Sequence, residues 1–277
     1  MLIKFKLTLN RMKIFLFLMV LITICFSCYQ DVMDIDLSGI KPQIVIEGFI
    51  TDQPGDCTVK ISKTGDYFKP DVYPPVSGAL VVISDNEDNS IILNEIRAGV
   101  YSTNILQGVP GRTYTLKVTV EDEEYTAVST MPEPLELDSS NYSEYGQLTY
   151  YFTDREAIED YCRTKIYING ILYEEAFYLY NGRFKDGDQI EVHCYIDFYA
   201  LGISPYNSNI SVRLELLTLD KSIYEYFSML YDEYQSLEVE LPDFISAISF
   251  NPTTNLSNNA LGYFSAHTIR TCSFVVE

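Results

Sequence analysis

Six cysteines, two histidines and 39 acidic residues are the side chains of this 277-residue chain with the most obvious chemistry, and their spacing sorts them. Cys28 follows the small residue Ser27 at the end of the apolar run Ile14 to Ile24. A thiol so placed is either the site where an exported chain is acylated or an ordinary thiol beside a signal-peptidase site. Cys57, Cys162, Cys194 and Cys272 are too far apart in sequence for a metal knuckle or a small disulfide scaffold. An exported chain meets an oxidising compartment, so pairing is allowed. Cys57 and Cys194 nevertheless fall inside apparent strands, which favours buried free thiols; one disulfide within the second half is the alternative. His193 lies on the face opposite Ile190, Val192 and Cys194 and has no second ligand spaced to help it, which reads as a solvent-side strand residue. Asp85, Glu87 and Asn89 alternate as in a calcium loop. The following glycine and the distal bidentate glutamate are missing, so a solvated hairpin is the better reading. No Gly-x-Ser-x-Gly, His-Glu-x-x-His or P-loop occurs, and no carboxylate pair stands out. The chain therefore reads as a protein that works by contact, not as an enzyme, with no metal or cofactor assigned. Its contact chemistry is aromatic: 23 tyrosines and no tryptophan. Most alternate with polar residues in apparent strands, as core edges and cross-strand pairs do. Tyr195, Tyr199 and Tyr206, around the Ala200–Ser208 loop, form the candidate patch for a ligand or partner.

The leader has the layout of a secretory signal, with Lys13 ahead of the apolar run, and Met12 reads as a more natural start than Met1. The run is shorter than the ~20 residues that a bilayer span needs, and Tyr29 to Asp36 follows at once. Cys25-Phe26-Ser27-Cys28 resembles a bacterial lipobox, although Phe26 is bulkier than the usual residue. Residues 1–27 are thus expected to be a lipoprotein signal peptide, and 28–42 an acidic tether whose Cys28 carries palmitate-type acylation. The whole chain has a formal net charge of −20; residues 1–27 hold Lys4, Lys6, Arg11 and Lys13 and no acid, so the mature chain is more acidic still. Such a balance argues against binding nucleic acid or anionic lipid headgroups.

From Gln43 the pattern predicts β structure: Gln43–Thr51, Cys57–Thr64, Gly78–Asp85, Ser90–Glu95, Val100–Ile105, Thr113–Glu121 and Tyr125–Ser129. In one of them Tyr114, Leu116, Val118 and Val120 face one way, and Thr115, Lys117 and Thr119 the other, which is the period of a half-buried strand. Seven short strands at even spacing make residues 43–130 an Ig-like or transthyretin-like sandwich. Pro132 and Pro134 cannot sit in a central strand, so 131–138 is the expected linker. Residues 139–277 read as a β-rich C-terminal domain. Its cues are Leu148–Thr153, the hairpin signals Asn169-Gly170 and Asn181-Gly182, Gln189–Tyr199 and Ile210–Leu219. A helix is expected over 221–236, with Ser222 and Glu225 as a capping box and Ile223, Phe227, Leu230, Tyr231 and Tyr234 facing a sheet. Asn255, Asn258 and Asn259 beside Gly262 read as backbone caps of a tight loop.

Glu47 to Asp52, Pro75 to Ile83, Gly99-Val-Tyr101 and Gly111 to Val118 resemble the carboxypeptidase-regulatory, transthyretin-like sandwich, which implies a non-catalytic module. Three features taken together are similar to the Bacteroidota outer-membrane lipoproteins grouped as domain-of-unknown-function family 4249. They are the lipobox, Gly48 with Val59-Lys60-x-Ser62, and Asn255-Leu-Ser-Asn-Asn-Ala-Leu-Gly-Tyr-Phe-Ser-Ala266. In that family the genes commonly lie beside TonB-dependent outer-membrane transporters. The resemblance implies a lipid-anchored accessory or ligand-capture partner of such a transporter at the outer membrane, on either face; a surface adhesin or glycan-binding module is the alternative. It supplies no catalytic or ligand residues.

Overall fold

Alternating burial builds the first layers. A computed structural model describes residues 42–276 except 56, 66–71, 144–146, 174–177, 185–186, 204–208 and 239–250, and except the side chains of 184 and 233–238. In β1 (Ile44–Thr51) and β2 (Cys57–Lys63) the residues Ile46, Ile50, Cys57, Val59 and Ile61 point inward. Val81 and Ile83 of β3 (Leu80–Asp85), with Leu116 and Val118 of β6 (Thr113–Val120), do so from the other side. Each strand buries every second residue, as a strand with one wet face must. Between the layers, β4 (Ser90–Arg97) changes partner halfway: Ser90–Leu93 pair with β3, and Asn94 to Arg97 pair with β5 (Val100–Thr103) across a register shift. With β7 (Glu123–Thr130) on β6, all seven expected strands are present around one apolar core. Tyr101, fully buried, donates through its hydroxyl to the carbonyl of Val76 (3.0 Å) and accepts from the amide of Ala79 (2.9 Å). This fixes the entry into β3.

The second core lies between β8 (Leu137–Tyr142), β9 (Gln147–Thr153) and β13 (Gln189–Tyr195) on one side and a second set on the other. That set is β10 (Tyr161–Ile168), β11 (Ile171–Leu172), β12 (Tyr178–Asn181), β14 (Ile210–Thr218) and β15 (Leu261–Val276). The strand that joins the two halves is β15. Leu261–His267 pair parallel with β1, and Thr268–Val276 pair antiparallel with β14, so one sheet runs unbroken from β11 to β7. Phe264 and Ala266 belong to the first core, while Phe274 and Val276 pack against the second. The expected boundary at 131–138 therefore separates two cores but not two chain segments, because the end of the chain returns to the first core. The linker itself is packed: Met131 is buried in the first core, and Leu135 in the second. The protein is mostly β, with its sheets arranged sandwich-like and a single helix among the described residues.

That helix, α1 (Lys221–Glu238), packs Ile223, Phe227 and Leu230 against Tyr161, Leu217, Tyr263 and Ile269 on the sheet. Tyr231 is half-buried, and the side chain of Tyr234 is outside the described residues. The cap differs from expectation. Asp220 accepts from the amide of Ile223 (3.0 Å) and from the hydroxyl of Ser222 (2.7 Å), and Glu225 is exposed. A carboxylate one residue outside the helix meets an orphan amide and the positive end of the helix dipole together, which a capping box at Ser222 would not improve on. Asp220 also accepts from the hydroxyl of Ser129, whose oxygen accepts from the amide of Ala266, tying α1 to β7 and β15. Asp220→Ala should cost about 1–2 kcal/mol in urea unfolding, and Glu225→Ala less than about 0.5 kcal/mol.

Candidate functional site

The far end of the second core carries the expected patch. Ile168 pairs with Val212, and Val212 with Phe274, so the β10–β11 hairpin lies level with the end of β15. Tyr142 contacts both Phe198 and Phe274, which brings the chain after β13 to the same end. There Tyr195 is 66% exposed and Tyr199 68%, with Ile171, Leu201 and Val275 also open to solvent. Tyr206 lies outside the described residues, as does Cys28. From the start of β1 to this rim runs the 16-residue β15, about 50 Å at roughly 3.3 Å per residue.

A second arrangement was hidden from the sequence. On the sheet face opposite both cores, Arg163, Lys165 and Tyr167 of β10, Glu215 of β14 and Tyr263, Ser265 and His267 of β15 line a cleft of about 140 Å³ beside α1. The side chains reach it by strand alternation: Thr164, Ile166, Leu214 and Leu216 point into the core, and their neighbours point into the cleft. The Arg163 guanidinium stands 4.3 Å over the Phe227 ring, and that of Arg213 lies 4.1 Å over Tyr167 while pairing with Glu215 at 2.6 Å. Burial, then the charge of Arg163, lowers the affinity of Lys165 for its proton, against the pull of Glu215. Burial chiefly depresses His267 to about 3; Lys165 and Arg163 push the same way, while Asp52 and the Ser265 backbone oppose. His267 is thus neutral at ordinary pH, held through Nδ1 at 2.9 Å from the Ser265 hydroxyl.

Other sequence candidates fall into structural roles. The Asp85 carboxylate accepts from the amides of Glu87 and Asn89, the Asn89 side chain and Arg112. Burial alone would raise its pKa; these bonds outweigh it and hold the carboxyl below its usual range. With its lone pairs so occupied, the loop is a closed hairpin. Among the described residues, no group of three or more metal-ligating side chains is gathered. His193 is exposed and bonds through Nδ1 to the Thr149 hydroxyl at 3.0 Å. Cys57, Cys162 and Cys194 are buried free thiols, and Cys272 is a half-buried one. Asn255 binds the carbonyls of Val128 and Phe264 through its amide nitrogen and accepts from the amide of Phe264. The Asn255–Ala266 segment therefore docks β15 onto β7 and β1. No helix of the described residues is long and apolar enough to cross a membrane.

No curated protein matches the chain. Among solved structures, a two-domain fibronectin type-III segment of chicken tenascin is 8% identical, covering 64% of this chain and 91% of its own, at a TM-score of 0.22. Chicken CNTN1 domains FN1–FN3 are 12% identical over 65% and 61%, at 0.24. The Yersinia pseudotuberculosis adhesin InvE is 13% identical over 63% and 55%, at 0.20. Scores this low leave the architecture to be read from the strand pairing itself. The model of one family, DUF4249, a domain of unknown function, matches residues 30–273, and the chain belongs to that family.

Proposed function

We propose that this is a lipid-anchored cell-envelope protein that works by contact, held at the outer membrane through acylated Cys28. Its far rim is presented to a TonB-dependent transporter, which the protein steadies or supplies with ligand. The observation that supports this reading is the distance between Pro42 and the rim. Pro42, where residues 28–41 join the fold, precedes β1, whereas Ile171, Tyr195 and Tyr199 stand at the other end of β15, about 50 Å away. Exposed aromatic and aliphatic side chains grouped at one end are what a partner buries. Exposed tyrosines also stack on sugar rings, which is the basis of the adhesin or glycan-binding alternative.

Mild detergent extraction of the full chain from native membranes, followed by mass spectrometry, should recover an outer-membrane transporter. Binding of the purified protein to a glycan array, with no transporter recovered, would favour the adhesin. Ester, peptide, phosphate and glycoside panels should show no turnover; activity lost on changing His193 or a single acid would make the protein an enzyme.

A further inference from the structure

The cleft beside α1 gathers cations in a chain whose formal net charge is −20. Arg163 and Lys165 stand two residues apart on β10 and reach the same half-buried space. Withdrawing an ammonium from water is costly unless an anion meets it. Glu215, the acid that lines the cleft, is engaged at 2.6 Å by Arg213. Glu215 stands opposite Lys165 across the β10–β14 ladder and attracts it, but among the described residues Lys165 forms no ion pair within 4.0 Å and no hydrogen bond, and neutral His267 adds no charge. The walls add apolar surface from Phe49, Leu217 and Ile269.

We propose that this cleft binds a small organic carboxylate, with Lys165 as its counter-ion and Phe49, Leu217 and Ile269 against its apolar body. A monoanion matches the charge of Lys165, and the mixed lining suits a molecule with one charged end and one greasy end, which inorganic phosphate lacks. The site is independent of the anchor and the rim, so its failure leaves the proposed function standing, and the reverse holds too.

Benzoate serves as the probe. Calorimetric titration of the mature protein should give saturable one-to-one binding, with benzyl alcohol and inorganic phosphate each at least about tenfold weaker. Lys165→Met should weaken benzoate about ten- to hundredfold, and the ligand-free variant should melt at a higher temperature than the wild type, because a poorly compensated cation is gone. Lys165→Arg should retain binding. Lys117→Met, which removes an exposed lysine paired with Glu124, should change neither property. Amide spectra of the wild type make the test independent of any variant: benzoate should shift signals from 163–167 and 263–269. No saturable binding, shifts confined to other residues, or a Lys165→Met protein that binds like the wild type would overturn the proposal.

Discussion

Gly262→Ala should remove about 3–5 kcal/mol of stability, enough to leave much of the population unfolded. Gly262 has a φ of 96°, and a Cβ there would stand 2.1 Å from the carbonyl oxygen of Ile46. The residue lies where β15 joins β1 in parallel register, Ile46 opposite Gly262, so neither backbone can retreat without breaking the ladder. Gly170→Ala is the control. Its φ is 82°, yet nothing lies within 4 Å of the added carbon, so only conformational strain remains, about 1 kcal/mol. Urea denaturation measures both. Equal small losses would mean that β1 and β15 do not approach each other in this way.

Cys28→Ser should move the protein wholly from the membrane to the soluble fraction and abolish labelling by a palmitate analogue. The basis is chemical: a serine hydroxyl cannot form the thioether that a lipobox cysteine receives, and the apolar run before it is too short to span a bilayer. Fractionation and labelling in cells read the two effects separately. A variant that remains membrane-bound and labelled would contradict the lipoprotein reading.

Local patterns were legible and long-range ones were not. Strands β1, β2, β6 and β7 of the first core show period-two burial that their sequences announce, and the Asn169-Gly170 turn, with φ values of 50° and 82°, joins β10 to β11 as its type demands. The strand that organises the molecule, β15, had no such signature. From Phe264 to Thr268 it is buried on both faces, so no wet face marks it; the alternation Phe264-Ser265-Ala266-His267 is brief and loses its phase at Thr268, and Gly262, Ser265 and Thr268 dilute its apolar content. β8 was concealed by the two prolines just before it and by its polar Asp-Ser-Ser-Asn sequence. The helix is legible from its spacing, but its cap is not, because Asp220 lies two residues before Ser222 and outside the Ser222–Glu225 motif. The cleft drew its lining from β1, β10, β14, β15 and α1. Its one local hint was the alternation of Arg163, Lys165 and Tyr167 with Thr164 and Ile166, which reads as an ordinary solvent face until the pairing of β14 with β15 is known.

Crosslinking in living cells tests whether the far rim touches a transporter. A photo-activatable phenylalanine analogue would replace Ile171, which is 74% exposed at the rim, and, in a separate strain, Lys60, exposed on β2 of the first core. Irradiation should join the Ile171-substituted protein covalently to an outer-membrane transporter and leave the Lys60-substituted protein free of it. Capture from both positions alike, or from neither while the protein is membrane-bound and folded, would rule out contact through the rim.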